Sequence, residues 1–91
     1  MSGITEQARR ESHEKVDKRK RQQMILNAWT GSMTAREILE RLIVMEKLPH
    51  TADMNAVRPR ITELAHMGVL KECGRKYDEF TERLVTCWRK V

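Results

Sequence analysis

The chain has 91 residues, of which 40% are hydrophobic and 4% aromatic, and 18 Lys or Arg against 13 acids leave a formal net charge of +5. That length holds one domain at most. It contains no run of about 18 apolar residues that could span a bilayer and no apolar leader near its N-terminus, so a cytoplasmic protein without a membrane partner is expected.

The charge is unevenly placed. Residues 1–30 carry seven Lys or Arg against four acids, and residues 31–91 carry eleven against nine. The sharpest concentration is Lys15-Val16-Asp17-Lys18-Arg19-Lys20-Arg21. Lys18, Arg19, Lys20 and Arg21 form either a phosphate-attracting surface, whose pull fades steeply with salt, or a solvated helix face that keeps the protein soluble. Residues 1–20 are read as a polar basic arm or helix extension, and residues 21–91 as the folded domain.

Residues 1 to about 11 are small, polar and without periodicity, and are expected to be disordered. A helix is predicted from Ser12 to the Thr30-Gly31-Ser32 break, apolar only near its end at Met24, Ile25, Leu26, Ala28 and Trp29. A short strand is expected at Ser32-Met33. Thr34 and Glu37 then form a capping box that opens a second helix. Ile38, Leu42 and Met45, with Leu39 and Ile43 alongside, form its buried stripe, and Lys47 to His50, around Pro49, breaks it.

A third helix begins between Thr51 and Asn55. Asp53 and Asn55 are both good N-caps; Pro59 fits the first turn best if Asn55 is the cap. Val57, Ile61 and Leu64 face inward, so Asn55, Pro59, Thr62 and His66 point outward, with Arg58 and Glu63 on the flanks. Arg60 lies nearer the buried side and is expected to pair with a carboxylate or snorkel. Gly68 stops the helix. Strands are predicted at Val69 to Arg75 and Leu84 to Val91, with a basic and acidic connection between them. Both parities of these strands contain apolar residues, so the buried face is not readable. Cys73 and Cys87 match no zinc spacing and are expected to be a reduced pair of small buried side chains.

Met33-Thr34-Ala35-Arg36-Glu37-Ile38, Asn55 to Leu64, Met67-Gly68-Val69-Leu70 and Cys87-Trp88-Arg89 together resemble winged helix-turn-helix proteins, particularly the small ones of phages and prophages. The resemblance covers about two thirds of the chain and specifies fold better than target. It implies an α+β, mostly helical domain: three helices, a C-terminal β-hairpin wing and a basic N-terminal helical extension. It also implies that the third helix enters a DNA major groove through Asn55, Arg58 and Thr62, with Pro59 stiffening the entry. Arg75, Lys76 and Arg83 would be the wing contacts. Asp78, Glu79 and Glu82 depart from this pattern, because a phosphate-reading wing prefers no acids at its tip.

The reading that follows is a double-stranded DNA-binding regulator of transcription in a phage or mobile element, working in a bacterial host cell. One small head binds weakly, so a homodimer on a two-fold site is expected, with the N-terminal helix as dimerisation element or as a basic arm on the duplex. Arg58 suits guanine O6 and N7, Asn55 suits adenine N6 and N7, and Thr62 suits a phosphate or thymine methyl. The plainer roles are N-cap for Asn55, solvated flank for Arg58 and spacer for Thr62. The alternative function is a winged-helix adaptor that binds a host or phage protein, which the acidic wing favours. No enzyme, metal or cofactor is expected. His13, His50 and His66 lie in separate segments without nucleophile partners, and no glycine-rich phosphate loop or metal spacing occurs.

Overall fold

The computed structural model describes residues 6–91, with side chains described from Asp17 onward. Helix α1 (Glu6–Ala28) leads to strand β1 (Met33–Thr34), helix α2 (Ala35–Val44), a 3-10 turn (Met54–Ala56), helix α3 (Arg58–His66), and strands β2 (Leu70–Asp78) and β3 (Arg83–Lys90). The strands form one antiparallel sheet in the order β1-β3-β2. This is a small α+β arrangement, consistent with a winged-helix-like one. No helix among the described residues is long and apolar enough to cross a membrane.

Helix α1 starts earlier than the Ser12 expected from composition: residues 6–11 are helical, and residues 1–5 lie outside the described part. Helix formers without Gly or Pro carry a helix through a stretch that lacks apolar periodicity. The last turns of α1 are packed, through buried Ile25 and Ala28, with Trp29 just beyond. The Trp29 indole Nε1–H donates to the carbonyl of Trp88 at 3.2 Å, which ties the end of α1 to the central strand.

The capping box of α2 forms as read. The Glu37 N–H donates to Thr34 Oγ1 at 3.2 Å, and the Thr34 N–H donates to Glu37 Oε1 at 2.8 Å. Ile38, Leu39 and Leu42 are buried, but Met45 is 41% exposed, contrary to its expected place in the stripe. The reason is that α2 ends one residue before it. Lys47 N–H bonds back to Leu42 O at 2.8 Å and Glu46 N–H to Ile43 O at 3.0 Å, with Glu46 in the left-handed region at φ 59. This is a Schellman closure built on a non-glycine residue. Helix α3 closes in the same way on Gly68 (φ 77): Val69 N–H reaches Leu64 O and Gly68 N–H reaches Ala65 O, both at 3.0 Å.

The start of α3 differs from the expectation. Asn55 is not its cap: Asp53 Oδ1 accepts the Asn55 N–H at 2.9 Å and opens the 3-10 turn, and α3 itself starts after Val57 with no side-chain cap. Pro59 has no N–H to give and sits at the first positions of α3, so the chain passes through the 3-10 turn before the α-helix begins. Val57, Ile61 and Leu64 are buried as predicted and complete the core with Ile25, Ile38, Leu42 and Leu70. Hydrophobic burial across these few helix faces is the main stabilising term in so small a domain.

The hairpin is longer than the sequence suggested. Its strands run to Asp78 and from Arg83, so Arg75, Lys76 and Arg83 are strand residues, and the tip is Glu79 to Glu82. Glu72 pairs with Trp88 and Gly74 with Cys87, which leaves Cys73 as an extra, bulged residue. The bulge separates the two cysteines in environment. Cys87 is buried and Cys73 exposed, both thiols are free, and the expectation of two buried side chains holds for one.

Candidate functional site

Helix α3 presents one exposed stripe. Arg58, Pro59, Thr62 and His66 are all exposed, and Asn55 extends the stripe into the 3-10 turn. The opposite side is held by the core, and one flank is stitched to α1 through Glu63. Lys18 Nζ lies 3.3 Å from Glu63 Oε2, Gln22 Nε2 donates to Oε1 at 3.2 Å, and Arg60 Nη2 donates to Oε2 at 3.2 Å. Arg60 Nε is also 2.6 Å from Oε1 but out of line for a hydrogen bond. Loss of water contact raises the Glu63 pKa. The hydrogen bonds from Gln22 and Lys18 and the charges of Arg60 and Lys18 outweigh it, so the carboxyl titrates below its usual range. Arg60 is therefore a structural partner, as its position near the buried side implied.

Between α3 and the hairpin lies an open groove of about 930 Å³. Helix α3 contributes Arg58, Ile61 and Thr62, and the hairpin contributes Arg75, Arg83, Leu84 and Thr86. Strand register explains part of this: Arg75 stands opposite Thr86 on the neighbouring strand, so the two share a face. Arg58, Arg75 and Arg83 are exposed and form no ion pair among the described residues. Thr62 donates its hydroxyl to the Arg58 carbonyl at 3.2 Å, so toward a ligand its oxygen remains as an acceptor. Four of the residues singled out in the sequence (Arg58, Thr62, Arg75 and Arg83) thus meet in one concavity.

The other proposed contact residues do not line it, whereas Asp78, singled out as an acid of the wing, does. Asn55 and Pro59 sit at the exposed entry to α3. Lys18 and Arg21 belong to the α1–α3 flank, Lys18 through Glu63 and Arg21 through a hydrogen bond of 3.4 Å to the Ala56 carbonyl, while Arg19 and Lys20 are exposed on α1. Lys76 is engaged elsewhere: its ammonium donates to the Ser32 carbonyl at 2.6 Å and to Glu37 Oε1 at 3.3 Å.

The acids of the tip are not equivalent. Asp78 Oδ1 accepts the Phe80 N–H at 3.0 Å, an Asx turn that starts the reversal, and Oδ2 accepts the Thr81 hydroxyl at 3.2 Å. Arg36 Nε donates to the same Oδ2 at 2.9 Å, and its guanidinium lies 4.2 Å from the Phe80 ring centroid. The hydrogen bond from Arg36 is the main reason the Asp78 carboxyl titrates below its ordinary value. Partial desolvation opposes it, and the bonds from Phe80 and Thr81 add to it. Sequence reasoning had given Arg36 and Asp78 no joint role. A weak signal existed: Arg36 occupies the first turn of α2, where a cation opposes the helix dipole unless a carboxylate holds it.

Comparison of the chain with protein-family models, with curated proteins and with solved structures finds no match.

Proposed function

We propose that this protein is a winged-helix module that binds double-stranded DNA, with α3 as the reading helix and the β2–β3 hairpin as the wing. The observation that carries this reading is the groove in which Arg58, Arg75 and Arg83, without an ion-pair partner among the described residues, converge from separate elements. A B-DNA major groove is about 12 Å wide and admits one helix. With the exposed stripe of α3 inserted there, the phosphate ridge beside it falls into the concavity between helix and hairpin. Arg75 and Arg83 then neutralise phosphates while Asn55, Arg58 and Thr62 reach toward base edges. The Asp78 carboxylate, held by Arg36, does not oppose this as a free acid does.

By its sequence resemblance the module acts as a regulator of transcription in a phage or mobile element, as a homodimer on a two-fold site. A second reading, a protein-binding adaptor, is favoured by the tip, where Phe80 is 79% exposed between the exposed acids Glu79 and Glu82. Fluorescence anisotropy with a random-sequence duplex, at low and near-physiological salt, separates the two. Binding that weakens steeply with salt supports the DNA reading. Absence of binding at low salt removes it and leaves the adaptor.

A further inference from the structure

The hairpin has a second depression of about 480 Å³ against the N-terminal turn of α2, which shares Arg36 and Asp78 with the first but is richer in carboxylates. Four carboxylates border it, from Glu37, Glu40, Asp78 and Glu79. Its two cations, Arg36 and Lys76, are already bound to carboxylates at 2.9 and 3.3 Å. Glu40 and Glu79 are exposed and form no ion pair among the described residues. Tyr77 and Phe80 stand beside them, 60% and 79% exposed. An acidic rim around exposed rings suits a cation with an apolar stem, which can pair and stack at once.

The chain carries such a group itself. Lys18 and Arg21, three residues apart, lie on nearly the same side of α1 and are both held against the α3 region. Arg19 and Lys20 lie on the other side, exposed and without an ion-pair partner among the described residues. We propose that the acidic, aromatic groove of one copy receives the Arg19–Lys20 side of α1 of a second copy. The Arg19 guanidinium pairs with Glu79 and lies on the face of the Phe80 ring opposite Arg36, which covers the other at 4.2 Å from the centroid, and Lys20 pairs with Glu40. Each copy offers both halves of the contact, and Arg58, Arg75 and Arg83 of the first groove take no part in it. The inference deepens the homodimer of the proposed function, and its test is made without DNA, so its failure leaves the DNA reading standing.

Sedimentation equilibrium of the full chain without DNA, over a concentration series at low and high salt, tests it. Association is expected at low salt and weakens at high salt. Glu40→Lys with Glu79→Lys, and separately Arg19→Glu with Lys20→Glu, each raise the midpoint concentration about tenfold. Mixing the two variants restores association, because the charges have been exchanged. All four positions are exposed, and circular dichroism verifies that each variant is folded. A monomer at every concentration overturns the proposal, as does association that these variants leave unchanged or that their mixture fails to restore.

Discussion

The two sides of the β2–β3 hairpin use the same residue types to opposite effect. Toward α2, Arg36 and Lys76 are each bound to a carboxylate, and they fix the hairpin tip to the first turn of that helix. Toward α3, Arg58, Arg75 and Arg83 form no ion pair among the described residues and line an open groove, at whose edge stands the already bound Arg36–Asp78 pair. A cation already in an ion pair has its charge answered and acts as a brace. A cation without one is available to an anion from outside. Charge counts along the sequence cannot make this distinction, which depends on partners some forty residues away.

Substitutions can break the comparison directly. The largest effect is expected from Arg58→Gln, Arg75→Gln and Arg83→Gln together. The slope of log affinity for duplex DNA against log salt falls by about 2 to 3, with little change in the urea midpoint. An unchanged slope would mean that the groove does not face phosphate. Next, Arg58→Ala alone should cost about 1–3 kcal/mol on a selected site, read by competition binding, and relax the preference at one base position.

Smaller effects belong to the paired side. Arg36→Gln loosens the tip, so backbone amide exchange at Phe80 and Thr81 accelerates while the salt slope of DNA binding stays as in the wild type. Asp78 gives this a pH dependence of known sign. Its folded pKa is depressed, so its contribution to stability is present above its unfolded value near 3.8 and is lost as pH falls through the lower folded value. Asp78→Asn should remove that component from the pH profile of stability. The smallest change is expected for Lys76→Gln, an exposed pair worth at most about 1 kcal/mol in thermal unfolding, again without a change in salt slope. A slope that drops for Lys76→Gln as it does for Arg75→Gln would erase the distinction between the two sides.

Local signals in the sequence foretold local structure. The Thr34–Glu37 capping box, the Val57–Ile61–Leu64 stripe and the Gly68 stop all lie within a few residues of their consequences, and each is found. The end of α2 was hidden because its left-handed residue is Glu46, where glycine is the usual mark. The start of α3 was misplaced at Asn55 because the sequence offered two good caps, and Asp53 caps a separate 3-10 turn before α3 begins after Val57. The Cys73 bulge and the length of the hairpin depend on strand register, which neither strand records by itself.

The candidate site divides along the same line. Thr62 and Arg58 were legible because helical periodicity placed the first on the outer face of α3 and the second on its flank. Arg75 and Arg83 were legible only through the family resemblance. Lys76 was read as their equivalent, yet its ammonium is bound to Ser32 and Glu37. Asp78 was read as an obstacle to anion binding, yet its carboxylate organises the tip with Arg36, Phe80 and Thr81. In both cases the deciding contact comes from the α2 end of the molecule.

The central claim, that the α3 side of the hairpin and not the α2 side meets an external polyanion, is tested most directly by NMR titration of the labelled protein with a short duplex. The account predicts shifts at Arg58, Thr62, Arg75, Arg83 and Thr86, with Lys76, Glu37 and Glu40 left in place. Shifts confined to the α2 side, or none at low salt, would contradict it.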